Sequence, residues 1–178
     1  GWFVSGKFDQ YRQDAPTATV EALRALGRLL LAEPEDQLVL HRARLLDGLG
    51  SNSGFGPVLL PEFVMLLGPQ PGVEVVDPRE AEVRLIQTTL DLRRSIATPE
   101  RPVVMVLDDL QWAPNITLRF LDALVNAAEG IAGLLLVGSF RANEVDAAHP
   151  LHALMTRWGQ LGRAPAQLAL RNLDASDV

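Results

Sequence analysis

The 178-residue sequence contains no cysteine, which excludes disulfides, thiolate metal sites and a cysteine nucleophile. Histidine is scarce too. His41, His149 and His152 are the only three, too few to build a histidine-rich metal centre. Basic residues are outnumbered, 16 Lys and Arg against 22 Asp and Glu, and the net charge of −6 argues against nucleic-acid binding by bulk electrostatics. Long apolar runs are missing: Val103–Leu107 and Leu134–Val137 fall far short of the ~20 residues that span a bilayer. No basic-then-apolar leader opens the chain, and these absences together predict a soluble, cytoplasmic domain. What is present is ordinary for a folded protein, with 48% hydrophobic and 21% charged residues in a length that suits one core.

The chain starts at Gly1 without Met and is strand-like from Trp2, which reads as a segment of a longer chain. Trp2–Phe8 is aromatic and β-branched, as a strand requires. Val20, Leu23, Leu26 and Leu30 recur at helical spacing and predict a helix over Thr17–Leu31. Pro34 with Glu35 and Asp36 opens a second helix that ends near Gly48 and Gly50. Val58–Leu67 reads as a short helix closed by Gly68-Pro69, and Gln70–Val76 as an internal linker. Asp77-Pro78-Arg79-Glu80 combines a capping Asp, a first-turn Pro and a Glu, predicting a helix to about Thr98 with Val83, Ile86 and Leu90 on one face.

Val103–Leu107 is a continuous apolar run, as expected of a strand buried on both faces of a parallel sheet. Asn115 or Thr117 is the expected cap of the next helix, followed by a second buried strand over Gly133–Phe140. A helix over Pro150–Trp158 and a strand over Ala166–Leu170 complete the pattern, and Asp174–Asp177 resembles another helix cap. The alternation specifies an α/β architecture with a mainly parallel sheet. Ligands of such sheets sit outside the carboxyl ends of the strands, so the residues after Leu107 and Phe140 carry the functional interest.

Those residues are Asp108-Asp109 and Arg141. An apolar strand followed by two acids has the form of a Walker B element. A buried strand fixes its last residues rigidly, and a carboxylate there can hold Mg²⁺ beside nucleotide phosphates, usually through water. A second carboxylate can orient or deprotonate the attacking water. The competing interpretation is a buried strand whose acids merely cap the following loop. For Arg141, a planar donor fork suited to phosphate oxygens competes with a salt bridge to Glu144 or Asp146.

Asp108-Asp109-Leu110-Gln111-Trp112-Ala113 is a far rarer string. With Phe3–Tyr11, Gly68-Pro69-Gln70, Val137–Val145 and His149-Pro150-Leu151, all in the family's order, it resembles the AAA-type ATPase modules of the STAND class of signalling NTPases. Such modules occur in bacterial hybrid histidine kinases, serine/threonine kinases and large transcription activators. The resemblance covers nearly all of residues 1–178 and implies a three-layer P-loop NTPase-type sheet, ATP and Mg²⁺ as cofactors, and neighbouring domains of a larger signalling protein as partners. It assigns Asp108 to the metal, Asp109 to hydrolysis and Arg141 to sensing the phosphate. Gln111 and Trp112 are typical of the family without an evident chemical role, Trp112 reading as a packing anchor. Pro114 departs from the family's usual Asp, and Asp109 stands where faster ATPases carry the longer Glu.

No G-x-x-x-x-G-K-[ST] phosphate loop occurs, and Gly6-Lys7, followed by Phe8 without an earlier loop glycine, does not replace it. The resemblance puts that loop and the first, central strand just upstream of Gly1. The expectation is a partial domain, running from the second strand to the last, that alone binds ATP weakly or not at all. The sequence therefore points to part of a slowly hydrolysing ATP switch, with a degenerate, non-hydrolysing interaction module as the alternative. A freestanding hydrolase is set aside for want of a nucleophile–base pair.

Overall fold

Among the described residues three strands form where apolar and β-branched residues cluster: β1 (Trp2–Lys7), β2 (Val103–Asp108) and β3 (Leu134–Gly138). They pair in parallel in the order β1-β2-β3. The computed structural model describes residues 1–11, 17–55, 60–72, 77–127 and 130–170, so Asp174–Asp177 and the Val73–Val76 end of the linker lie outside it. Among the described residues six α-helices accompany the strands: α1 (Thr17–Leu31), α2 (Glu35–Leu49), α3 (Pro61–Leu67), α4 (Pro78–Ile96), α5 (Asn115–Asn126) and α6 (Pro150–Gln160). The fold is α/β, as the alternation of elements implies.

Register sets the site. Trp2 pairs with Val103 and Lys7 with Asp108, while Val103 pairs with Leu134 and Leu107 with Gly138. The three carboxyl ends therefore finish level. Trp2, Val4, Met105 and Leu107 face the helices with Ala18, Ala22, Leu26 and Leu30 of α1, all buried. Gly6 permits this layer to close: a Cβ there would fall on the carbonyl oxygen of Ala18 and 2.6 Å from its carbonyl carbon. Gly50 and Gly68, both at positive φ, terminate α2 and α3.

The opposite face of the sheet departs from the sequence expectation. Phe3 is 64%, Leu135 57% and Val137 42% exposed, with Val104 and Val106 only half-buried between them. Neither β2 nor β3 is buried on both faces, and among the described residues no helix covers this side. The third layer that the resemblance implies has no described counterpart.

Ala166–Leu170 is also corrected. It pairs with no strand, and Leu168 and Leu170 are exposed, because nothing described offers it a ladder partner. Neither Asn115 nor Thr117 caps α5. Pro114 occupies the cap position without a side-chain acceptor, and the Thr117 hydroxyl is buried unpartnered. Val83 is exposed near the start of α4, whereas Leu90 is buried and Ile86 packs on the core. Asp77 does cap α4, accepting from the Arg79 backbone N–H at 2.9 Å.

Candidate functional site

The backbone at the end of β2 decides which way the two acids point. Residues of a strand alternate between faces, so an extended Asp109 would aim its carboxylate toward the layer that buries Leu107. Instead Asp109 adopts a left-handed conformation, φ 60° and ψ 48°, the one positive φ among the described non-glycine residues. Aspartate tolerates this region better than most residues because its short side chain can bond locally. The chain then winds into a 3₁₀ turn over Leu110–Trp112. β3 follows this exit: the Ser139 N–H donates to the Leu107 carbonyl at 3.0 Å and the Leu110 N–H to the Ser139 carbonyl at 2.8 Å.

Both carboxylates consequently meet one cation. The Lys7 ammonium lies 3.1 Å from Asp109 Oδ2 and 3.6 Å from Asp108 Oδ2. The Ser139 hydroxyl donates to Asp108 Oδ1 and accepts from the Asp109 N–H at 3.3 Å. Asp109 is 6% exposed. Burial pushes its carboxyl up, but the Gln111 hydrogen bond and the charges of Lys7 and Arg141 outweigh that and hold it below the ordinary aspartate range. The same contacts raise Lys7, first through its hydrogen bond to Asp109. At neutral pH the site therefore holds an ammonium between two carboxylate-bearing neighbours.

Arg141 reaches the same place from β3. Its Nε is 3.8 Å from Asp109 Oδ1, its Nη1 bonds Glu144 at 3.1 Å, and its guanidinium lies 5.5 Å over the Trp112 ring. The Glu144 salt bridge weighed from the sequence is thus present, while Arg141 also remains within reach of Asp109. A cleft of about 590 Å³ opens beside these groups, with Lys7, Phe8, Tyr11, Trp112, Arg141 and Glu144 among its lining residues. That is a size common for small-molecule sites.

A model of the AAA ATPase domain matches residues 1–137. The chain belongs to the AAA ATPase domain family. The matched span of this AAA ATPase domain contains Lys7, Asp108, Asp109 and Gln111 and ends just before Gly138, Ser139 and Arg141. The domain is also similar to hybrid signal transduction histidine kinase G of Dictyostelium discoideum, with 30% identity over 125 residues. Those residues make up 70% of the chain but 4% of the relative, so the chain spans a small part of the curated relative it matches. No solved structure matches it. No helix among the described residues is long and apolar enough to cross a membrane.

The structure brings Asp108, Asp109 and Arg141 of this AAA ATPase domain together, as their positions after adjacent strands imply. Sequence reasoning missed Lys7 and Ser139. Gly6-Lys7 ends a strand, in line with its rejection as a phosphate loop, yet register sets Lys7 directly beside Asp108. Its signal was available only as a basic residue at a strand end. Gln111 and His149 also acquire contacts that no spacing announced.

Proposed function

We propose that this AAA ATPase domain is part of an ATP-dependent signalling switch in which Asp108, Asp109 and Arg141 handle the nucleotide's phosphate end. The observation that carries this reading is the convergence of two carboxylates, an arginine and a lysine at the level carboxyl ends of three parallel strands. The donor set fits Mg²⁺, a hard cation that takes one or two protein carboxylates and otherwise water and phosphate oxygens. Asp108 and Asp109 supply those oxygens, and the Lys7 ammonium between them marks where positive charge is stabilised. When bound, Mg²⁺ would neutralise phosphate charge.

Asp108, partly exposed and oriented by the Ser139 hydroxyl, would hold the cation through water. Asp109 is ionised at neutral pH and fixed by Gln111, so its carboxylate can accept a proton from, and orient, the attacking water. Arg141 would trade its Glu144 contact for phosphate oxygens and carry the change to the turn that follows it. The 178 residues hold no Gly-rich phosphate loop, so in this reading the remaining phosphate contacts come from elsewhere in a longer, multidomain signalling protein.

The test is Mg²⁺-dependent ATP hydrolysis by the full-length protein. Asp109→Asn is expected to lower turnover about 10²-fold or more while ATP binding stays within about threefold. Equal losses in binding and turnover would overturn the assignment of Asp109. A second reading, a non-hydrolysing docking module, is favoured by the open apolar face at Phe3, Leu135 and Val137 and by Lys7 filling the cation position. Tight ATP binding without turnover in the wild type would select it.

A further inference from the structure

Gln111 is buried in the turn after β2, and its amide can be oriented from its neighbours alone. The Arg141 backbone N–H, 3.2 Å away, can only donate, so Oε1 faces it. Nε2 then faces Asp109 Oδ1 at 3.0 Å, where an ionised carboxylate can only accept. The main chain of the same residue makes a third link, because the Gln111 carbonyl lies 3.0 Å from His149 Nε2. His149 caps α6 by accepting the Leu151 N–H on Nδ1 at 3.1 Å, which fixes the neutral tautomer with its proton on Nε2. His149 thus donates to Gln111.

We propose that Gln111 is the positioning residue that sets Asp109 for its reaction and ties it to the exit of β3 and the start of α6. One side chain grips the carboxylate with its donor end and Arg141 with its acceptor end, and its carbonyl holds the α6 cap. A shift of Asp109 toward a bound nucleotide therefore displaces Arg141 and α6 through one short chain of hydrogen bonds. The exposed Lys7 ammonium pairs with Oδ2 at 3.1 Å and Arg141 stays 3.8 Å from Oδ1, whereas the buried Gln111 amide donates to Oδ1 and is itself anchored at its other end. This inference rests on the reading of Asp109 as the water-orienting carboxylate.

Two variants of the full-length protein separate the links. Gln111→Met keeps length and volume but neither hydrogen bond; Gln111→Glu keeps the acceptor for Arg141 and loses the donor for Asp109. For Gln111→Met, turnover is expected to fall about 10- to 100-fold with KM for ATP within about twofold, losing an interaction made to a charged group. Amide exchange at Arg141 should speed up about tenfold in Gln111→Met and stay near wild type in Gln111→Glu, which nonetheless loses turnover. Unchanged Arg141 exchange in Gln111→Met, or a loss confined to KM, would overturn the proposal. If the wild type does not hydrolyse ATP, the functional reading fails. Arg141 exchange then decides the role of Gln111 by itself. Should Gln111→Met not fold, Gln111→Asn, polar but too short to span both partners, replaces it with the same expected outcomes.

Discussion

Arg93 is the largest fully buried side chain described, and no carboxylate lies within salt-bridge distance of it among the described residues. Its Nη1 donates to the Thr89 carbonyl at 3.0 Å, its Nη2 lies 3.5 Å from the Met105 sulfur, and its guanidinium sits 4.3 Å over the Phe120 ring. Nε has no partner. Burial pulls the Arg93 guanidinium down to about 9, well below the ordinary arginine range, which corresponds to about 5 kcal/mol of desolvation. A desolvated cation–π contact returns about 2 kcal/mol and a hydrogen bond from a charged donor about 1.5–3 kcal/mol. The balance leaves the charge costing up to about 1.5 kcal/mol at neutral pH. Arg93→Met fills similar volume with no charge to bury, so it is expected to stabilise the fold by about that amount. For a domain of this size the melting temperature should rise by up to about 6 °C.

The pH dependence has a definite sign. Because the folded value lies below the unfolded one, the unfolded chain binds more protons above pH 9, and stability from this group rises with pH there. Below that the penalty is constant. Paired chemical denaturation of wild type and Arg93→Met should therefore show a gap at pH 8 that narrows by about 1 kcal/mol at pH 10. An Arg93→Met protein less stable than wild type, or a gap indifferent to pH across this range, would refute the reasoning.

Gly6→Ala is expected to destabilise by about 3 kcal/mol or more, because its Cβ overlaps backbone of α1 rather than a movable side-chain end; thermal melting followed by circular dichroism checks this, and a melting temperature within about 2 °C of wild type would contradict it. Lys7→Gln removes the ammonium shared by Asp108 and Asp109, so Mn²⁺ without nucleotide should bind about 3- to 10-fold tighter at low salt, an advantage that added salt screens. Electron paramagnetic resonance titration of free Mn²⁺ measures it, and unchanged or weaker binding would show that Lys7 does not occupy the cation position.

Local patterns were readable where one segment's chemistry suffices. The four leucine and valine positions of α1 set its face, and the Asp77 cap followed by Pro78 fixed the start of α4. The strand ending in Asp108 was legible for the same reason: an apolar run stops at a charge. Failures arose where distant residues decide. Lys7 lies next to Asp108 only because β1 and β2, a hundred residues apart, adopt one register, and a basic residue at a strand end does not reveal its cross-strand neighbour. β3 is as apolar as a strand buried on both faces, yet Leu135 and Val137 stand exposed, since hydrophobicity states a preference for cover without showing what provides it. Ala166–Leu170 failed likewise. Strand propensity expresses a fit to a pleated, half-buried surface, and no described strand supplies one. Pro114 displaced the expected side-chain cap of α5 because the turn from Leu110 to Trp112 hands the chain directly into the helix.

The left-handed turn at Asp109 links these levels. In extended backbone, Asp108 and Asp109 would point to opposite faces of the sheet and could share neither a cation nor a nucleotide. One reversed residue brings both to the side where Lys7 waits, at a strain of about 1–2 kcal/mol. The residue must be short, because Gln111, two positions on, can reach its carboxylate only close to the backbone. It must also be ionised, because Lys7 and Arg141 offset its burial only in that form. Asn stays short and keeps an acceptor oxygen for Gln111 while removing the charge, whereas alanine removes charge and acceptor together and leaves the buried Gln111 amide without an acceptor. Asp109→Asn therefore isolates charge from backbone geometry, and a turnover defect in that variant belongs to the carboxylate rather than to a collapsed turn.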